Sequence, residues 1–223
     1  MYIITLIIIV IVIFKSINDK ILIKKLIALL AFSSIFFITE MLSSGILLLY
    51  IKSTLGSHLY SMTIPIPYFT VIFSLVAIFL AFIFSRYLIS LENKVFNLHY
   101  YKLLVGGILG VISMLLLLFS NQHNINAGLL IVLLSLFFLG IADFLIAPSI
   151  YAYLSMLSTE KIKSALYSLF FMSISFSAYL SVKLYAFANI IPYHQSSSYH
   201  YLITFLFSGI LLLCALPFIR PLK

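Results

Sequence analysis

The sequence predicts an all-α integral membrane protein: six transmembrane helices arranged as two inverted three-helix repeats, with a short apolar helix before them. Three observations carry this. The 223 residues are 64% hydrophobic and 8% charged, with a mean hydropathy of +1.25, whereas soluble domains carry about 25% charged residues. The apolar residues fall into runs of helix rather than strand length. The basic residues gather in every second connection between those runs.

The first run, residues 1–14 ("MYIITLIIIVIVIF"), is short for a bilayer crossing and lacks a signal peptide's basic leader and small-residue cleavage site. It reads as an interfacial helix or as the tail of a longer helix, and the second reading is preferred. The runs 26–51, 64–90, 103–120, 128–157, 164–191 and 201–219 are each of spanning length, since a crossing helix needs about 20 residues. Helices satisfy their backbone groups within the segment, as lipid requires. Barrel strands would alternate apolar and polar residues, and these runs do not. Gly106, Gly107 and Gly110 ("GGILG") lie inside a span, where helix packing explains them better than phosphate binding.

Eleven of the thirteen basic residues fall into one set: Lys15, Lys20, Lys24 and Lys25; Arg86, Lys94 and Lys102; Lys161 and Lys163; Arg220 and Lys223. Lys52 and Lys183 lie elsewhere. The positive-inside rule then places 15–25, 91–102, 158–163 and the C-terminus in the cytoplasm, with the N-terminus outside a cell (inner) membrane. The formal charge of +8 is thus a topology signal. No basic arm or stripe tracks phosphates, so nucleic acid is not an expected partner; the lipid bilayer is. Cys214 is the only cysteine, which leaves no intramolecular disulfide and suits a packed thiol. The five histidines are scattered over connections, and no metal site or cofactor is expected. Without a Ser-His-Asp arrangement, zinc motif, phosphate loop or convergent catalytic carboxylates, an enzyme is not expected either.

Five acids occur in the chain, and Asp19, Glu92 and Glu160 lie beside basic residues in connections. Glu40 and Asp143 alone fall within spans. A carboxylate at mid-membrane costs about 2.5–3.5 kcal/mol on insertion scales and is normally functional or paired. Each sits midway along the first helix of a three-helix group, 26–120 and 128–219. The groups start on opposite sides, the pattern of inverted repeats in a secondary transporter. Gly140, Asp143, Ala147, Tyr151 and Ser155 follow near-helical steps, as do Ser33, Glu40 and Ser44, so both sets read as cavity-lining faces. Ser164, Ser168 and Ser175 mark a third small, polar face, which suits helix packing.

The stretch "ADFLIAPSIYAYLSMLSTEKIKSALYSLFFMS" resembles the tenth and eleventh helices of the proton-coupled oligopeptide transporters, the POT or PTR family of the major facilitator superfamily. Asp143 stands where that family has glutamate and Ala147 where it has serine. Pro148 matches the proline, Lys161 and Lys163 match a basic loop, Ser168 replaces a glycine and Phe170 a tryptophan. "FFITEMLSSGILLLYI" resembles the seventh helix, with Glu40 matched and Met41 in place of glutamine. "IPIPYFTVIFSLVAIF" resembles the eighth, its substrate-facing asparagine falling near Phe73 and the following proline near Ser74. The resemblance covers residues 24–220 and implies half of a major facilitator fold: residues 1–23 as a remnant of the inter-bundle linker helix and a cytoplasmic loop, and 24–223 as the C-terminal six-helix bundle.

By this resemblance the chain is the C-terminal half of a proton-coupled di- or tripeptide symporter, split or truncated. The proton is the coupling ion, short peptides are the substrates, and a separately encoded N-terminal six-helix half is the implied partner. Glu40 would be the proton-coupling and gating acid; Asp143 would receive the peptide's amino terminus or form an ion pair. Ser44, Phe73, Ala147, Tyr151 and Phe170 would line the cavity. The family's acidic first-helix motif and the lysine that faces the tenth-helix acid have no match in this sequence. Half of another facilitator carrier, or a membrane interaction or assembly protein without transport, are the alternatives.

Overall fold

A computed structural model describes residues 20–52, 58–59, 62–63, 65, 67–92, 98–120, 125–157, 162–190 and 198–215. The apolar run 1–14 and most of the segment 1–23 lie outside these. The described residues are almost entirely helical: α1 (Lys20–Met41), α2 (Pro67–Glu92), α3 (Leu98–Ser120), α4 (Ile125–Leu157), α5 (Lys163–Ile190) and α6 (Ser198–Ala215). A π-helical turn, Leu42–Ile46, and a last α turn, Leu47–Tyr50, prolong α1. Between α1 and α2 a two-residue antiparallel pair, β1 (His58–Leu59) with β2 (Met62–Thr63), sets His58 opposite Thr63 and Leu59 opposite Met62.

Local chemistry accounts for the boundaries. Pro67 takes the first position of α2, where a missing N–H costs nothing, and the Tyr68 N–H bonds the Pro65 carbonyl at 2.9 Å. Pro148 sits inside α4, which nevertheless runs for 33 residues. Such prolines are tolerated in membrane helices because neighbouring groups take up the freed backbone. At about 50 Å α4 exceeds an apolar layer of about 30 Å, so it tilts or projects.

Among the described residues four stretches are long and apolar enough to cross a membrane: Pro67–Tyr87, Leu98–Ser120, Asn126–Met156 and Lys163–Ala186. The sequence suggests six. The outer two are helical but fall short. α1 carries Lys20, Lys24 and Lys25 in its opening turns and leaves α geometry at Leu42. In α6 the apolar stretch is Ile203–Leu213.

The packing repeats itself. α3 lies along α4 as α6 lies along α1; α2 packs on α4 as α5 packs on α1; α3 meets α6, and α1 meets α4. These main pairs are unchanged when α1 is exchanged with α4, α2 with α5 and α3 with α6. That exchange relates the two three-helix groups, as the inverted-repeat reading requires. Two buried clusters fill the bundle. One gathers Leu26, Leu103, Tyr153, Ile162 and Leu166 near the starts of α1, α3 and α5. The other gathers Tyr50, Phe69, Leu117, Leu129 and Tyr201 toward the opposite end.

Glycines let the helices close up. A Cβ on Gly140 would lie 2.7 Å from the Phe73 carbonyl oxygen and 2.9 Å from Val76 Cβ, so α4 meets α2 backbone to backbone. One on Gly106 would lie 2.5 Å from Ile146 Cγ1 and 3.2 Å from the Ala142 carbonyl oxygen, at the α3–α4 crossing. Buried hydroxyls tie helices as well. Ser113 and Ser135 bond at 2.9 Å between α3 and α4. Tyr50 and Ser120 bond at 2.8 Å, and Ser177 of α5 donates to the Ser34 carbonyl of α1 at 2.8 Å.

The exposed faces differ in kind. Tyr101, Val105, Ile108, Ile112, Leu115 and Phe119 form an exposed apolar stripe at helical spacing on α3, suited to lipid. On α5 the exposed ridge mixes Ser164, Ser168, Ser175, Tyr179 and Lys183, with the Lys183 ammonium 5.6 Å from the Tyr179 ring centroid. Residues 81–87 of α2 are all exposed, Phe82 at 85%.

These contacts set a stability order. Gly140→Ala is expected to cost about 1–3 kcal/mol, because the obstacle is rigid backbone. Gly45→Ala, with nothing within 4 Å of its Cβ position, should leave stability within about 0.5 kcal/mol. Thermal unfolding of both variants in one detergent checks the difference.

Candidate functional site

The final turn of α1 holds Glu40, and the π turn starts two residues later. There the Leu47 N–H bonds the Leu42 carbonyl, five residues back. A π turn inserts one extra residue into the helix and occurs often at functional sites. The run Ser43-Ser44-Gly45 is the sequence feature that coincides with it, although nothing in helical periodicity singles it out.

Asp143 lies in α4 five residues before Pro148. Both acids are half-buried, and Asp143 is near enough to act electrostatically on Glu40. Glu40 Oε2 is fully buried and has no hydrogen-bond partner among the described residues. No described basic side chain acts on either acid. Two half-buried carboxyl groups on different helices of a membrane bundle can hold a proton or receive a cationic group.

The position of Asp143 follows from its neighbours in α4. Gly140 fixes the contact with α2, and Ala142 and Ile146 fix the contact with α3. Asp143, between them in sequence, is thereby turned inward. Glu40 likewise shares its side of α1 with buried Phe36, Phe37 and Ser43. Both acids therefore face the inside of this bundle.

The two faces expected from spacing vary in burial along their length. Along α4, Gly140 is buried, Asp143 and Ala147 are half-buried, and Tyr151 and Ser155 are exposed. Gly140 and Tyr151, eleven residues apart, lie within about 20° of each other around a helix of 3.6 residues per turn, so burial changes along the helix axis and not around it. On α1, Ser33 is fully buried and donates to the Leu30 carbonyl at 2.9 Å, apart from the half-buried Glu40. Ser44 lies in the π turn, and its side chain is outside the described residues.

The remaining expected residues separate in the same way. Phe73 is half-buried between the two core clusters, and its carbonyl abuts Gly140. Phe170 is fully buried, a core ring in edge contact with Phe37 at 5.8 Å and Tyr151 at 5.1 Å. Those rings link α1, α5 and α4. Tyr151 is 37% exposed at the margin of that group. Among the described residues no cluster of metal-binding side chains occurs.

Solved structures share this fold. The crystal structure of peptide transporter POT, in a glutamate-to-glutamine variant, matches with a TM-score of 0.67 and 17% identity, over 86% of this chain and 38% of that chain. The same variant in complex with alafosfalin matches with a TM-score of 0.70 and 17% identity, over 86% of this chain and 39% of that one. At such identity the likeness is one of fold, shared with part of each of those structures. The chain spans well under half the length of these neighbours. No protein-family model and no curated protein sequence matches it.

The electrostatic contact between the acids is open to measurement. Glu40→Gln and Asp143→Asn are expected to be non-additive in stability by about 0.5–3 kcal/mol, the usual range for groups in direct interaction. Strict additivity in a thermal or denaturant double-mutant cycle would separate the two acids.

Proposed function

We propose that this bundle is one half of a proton-coupled carrier of di- and tripeptides, completed by a second six-helix bundle. The observation that carries the reading is the pair of half-buried acids, Glu40 and Asp143, on the first helices of the two three-helix groups and within electrostatic reach of one another. The fold likeness to peptide transporter POT supports it. Glu40, half-buried in the final turn of α1 with its Oε2 buried, takes and releases the coupling proton. Asp143 receives the positively charged amino terminus of the peptide or a cation from the second bundle. Burial favours a neutral acid and a nearby cation favours a carboxylate, so arrival of an amine can drive proton exchange in such a site. The bundle lies in the inner membrane, with the ends rich in lysine toward the cytoplasm.

One feature favours a second reading, that of an assembly protein. The exposed α5 ridge with Ser164, Ser168, Ser175 and Lys183 suits contact with further helices better than contact with lipid. In that reading the two acids serve only as polar contacts between helices, and no substrate crosses.

Uptake separates the two. The chain is co-expressed with the N-terminal half of a peptide transporter, and accumulation of a labelled dipeptide is followed with and without an inward proton gradient. Gradient-dependent accumulation that disappears in Asp143→Asn and Glu40→Gln, with membrane insertion unchanged, is expected. Confirmed co-insertion without any accumulation would refute transport by this pairing, and loss of bundle association in the acid variants would favour assembly.

A further inference from the structure

Lys183 stands apart from the pattern that accounts for most of the basic residues. With Lys52 it falls outside the set that marks the cytoplasmic connections. It lies within Lys163–Ala186, a stretch long and apolar enough to cross a membrane. On one side of α5 at this height, Leu180 and Leu184 pack against the cluster that holds Leu42 and Leu47. Lys183 is exposed on another side, beside Tyr179 and Val182, which are exposed as well.

A cation in a membrane helix is costly and ordinarily turns toward the bundle interior or a cavity, where a counter-charge meets it. Lys183 turns away from the interior of its own bundle, and its charge acts on neither Glu40 nor Asp143. Its ammonium stands 5.6 Å from the Tyr179 ring centroid, a cation–π contact that offsets part of the cost. The ring covers one side of a group with three donors.

The rest of this face is polar too. Ser164, Ser168, Ser175, Tyr179 and Lys183, all exposed, fall within an arc of about 100° and a length of about 28 Å on a regular helix. Ser168 and Ser175 donate to carbonyls of their own helix, and their oxygens can still accept from outside. A lipid headgroup can meet Lys183, but not hydroxyls spread over that height, and acyl chains satisfy none of them. A second helix lying along α5 meets the whole length.

We propose that this face of α5 docks a transmembrane helix of a partner bundle, and that Lys183 forms an ion pair with a carboxylate on that helix. The proposal rests on the second bundle inferred above, whether that bundle serves transport or assembly. It adds the face on which the second bundle sits and the charge that bundle must carry.

The probe is a synthetic transmembrane helix of leucine, alanine and serine with one aspartate placed at the depth of Lys183. In its control, asparagine replaces the aspartate. The full chain, with a fluorophore on a C-terminal tag, is reconstituted with each labelled helix in phosphatidylcholine vesicles, and energy transfer reports association. The aspartate helix should associate roughly tenfold more tightly than the asparagine helix. Lys183→Arg should keep that preference, Lys183→Gln should abolish it, and Lys183→Glu should transfer it to a helix bearing lysine. Lys52→Gln should leave it unchanged. Glu40→Gln and Asp143→Asn abolish uptake in the transport reading yet leave this preference in place, so failure of docking and failure of transport are read separately. Equal association of the two helices with the unsubstituted chain would overturn the proposal. So would a preference that survives in Lys183→Gln, or one that added phosphatidylglycerol abolishes, since Lys183 would then serve a lipid headgroup.

Discussion

The close approach of two neighbours to α4 governs much of this bundle. α2 can reach the α4 backbone because Gly140 has no side chain, and α3 can reach Ile146 and the Ala142 carbonyl because Gly106 has none. In a bilayer, lipid tails are as apolar as the helices themselves, so association relies on such tight packing and on bonds between helices. Both contacts flank Asp143 in sequence. The same packing that joins the helices therefore aims the acid, and it leaves that acid little freedom to turn toward lipid.

Placing two acids inside such a bundle is costly, about 2.5–3.5 kcal/mol for each carboxylate on insertion scales, and like charges near one another add to the cost. Structural polar contacts in the same bundle look different. Ser113 and Ser135 satisfy each other, as do Tyr50 and Ser120. Ser177 reaches the Ser34 carbonyl. The buried Glu40 oxygen has no such partner among the described residues, and the helix that holds it changes to π geometry two residues later. The serines thus fasten helices to one another, and the Glu40 carboxyl oxygen does not.

The surface divides in an equally physical way. The α3 stripe is apolar along its length and suits acyl chains, while the α5 ridge carries hydroxyls and Lys183.

Hydropathy and the alternation of basic connections were sufficient for the helical class, the places of the helices and the division into two groups of three, because lipid penalises every unsatisfied backbone group and every stray charge along the chain. The rarity of acids also made Glu40 and Asp143 legible. Burial of the other residues could not be read from spacing: one face of α4 runs from buried Gly140 to exposed Tyr151, and Phe170, which the resemblance offered, packs among rings in the core. The π turn after Glu40 left no periodic signal, since it is a change of register of a single residue. Sequence by itself determined which residues are costly to hold in a membrane. Tertiary structure alone decided that the two costly acids come within electrostatic reach of one another, because that depends on the packing of α1 against α4, two helices far apart in the chain.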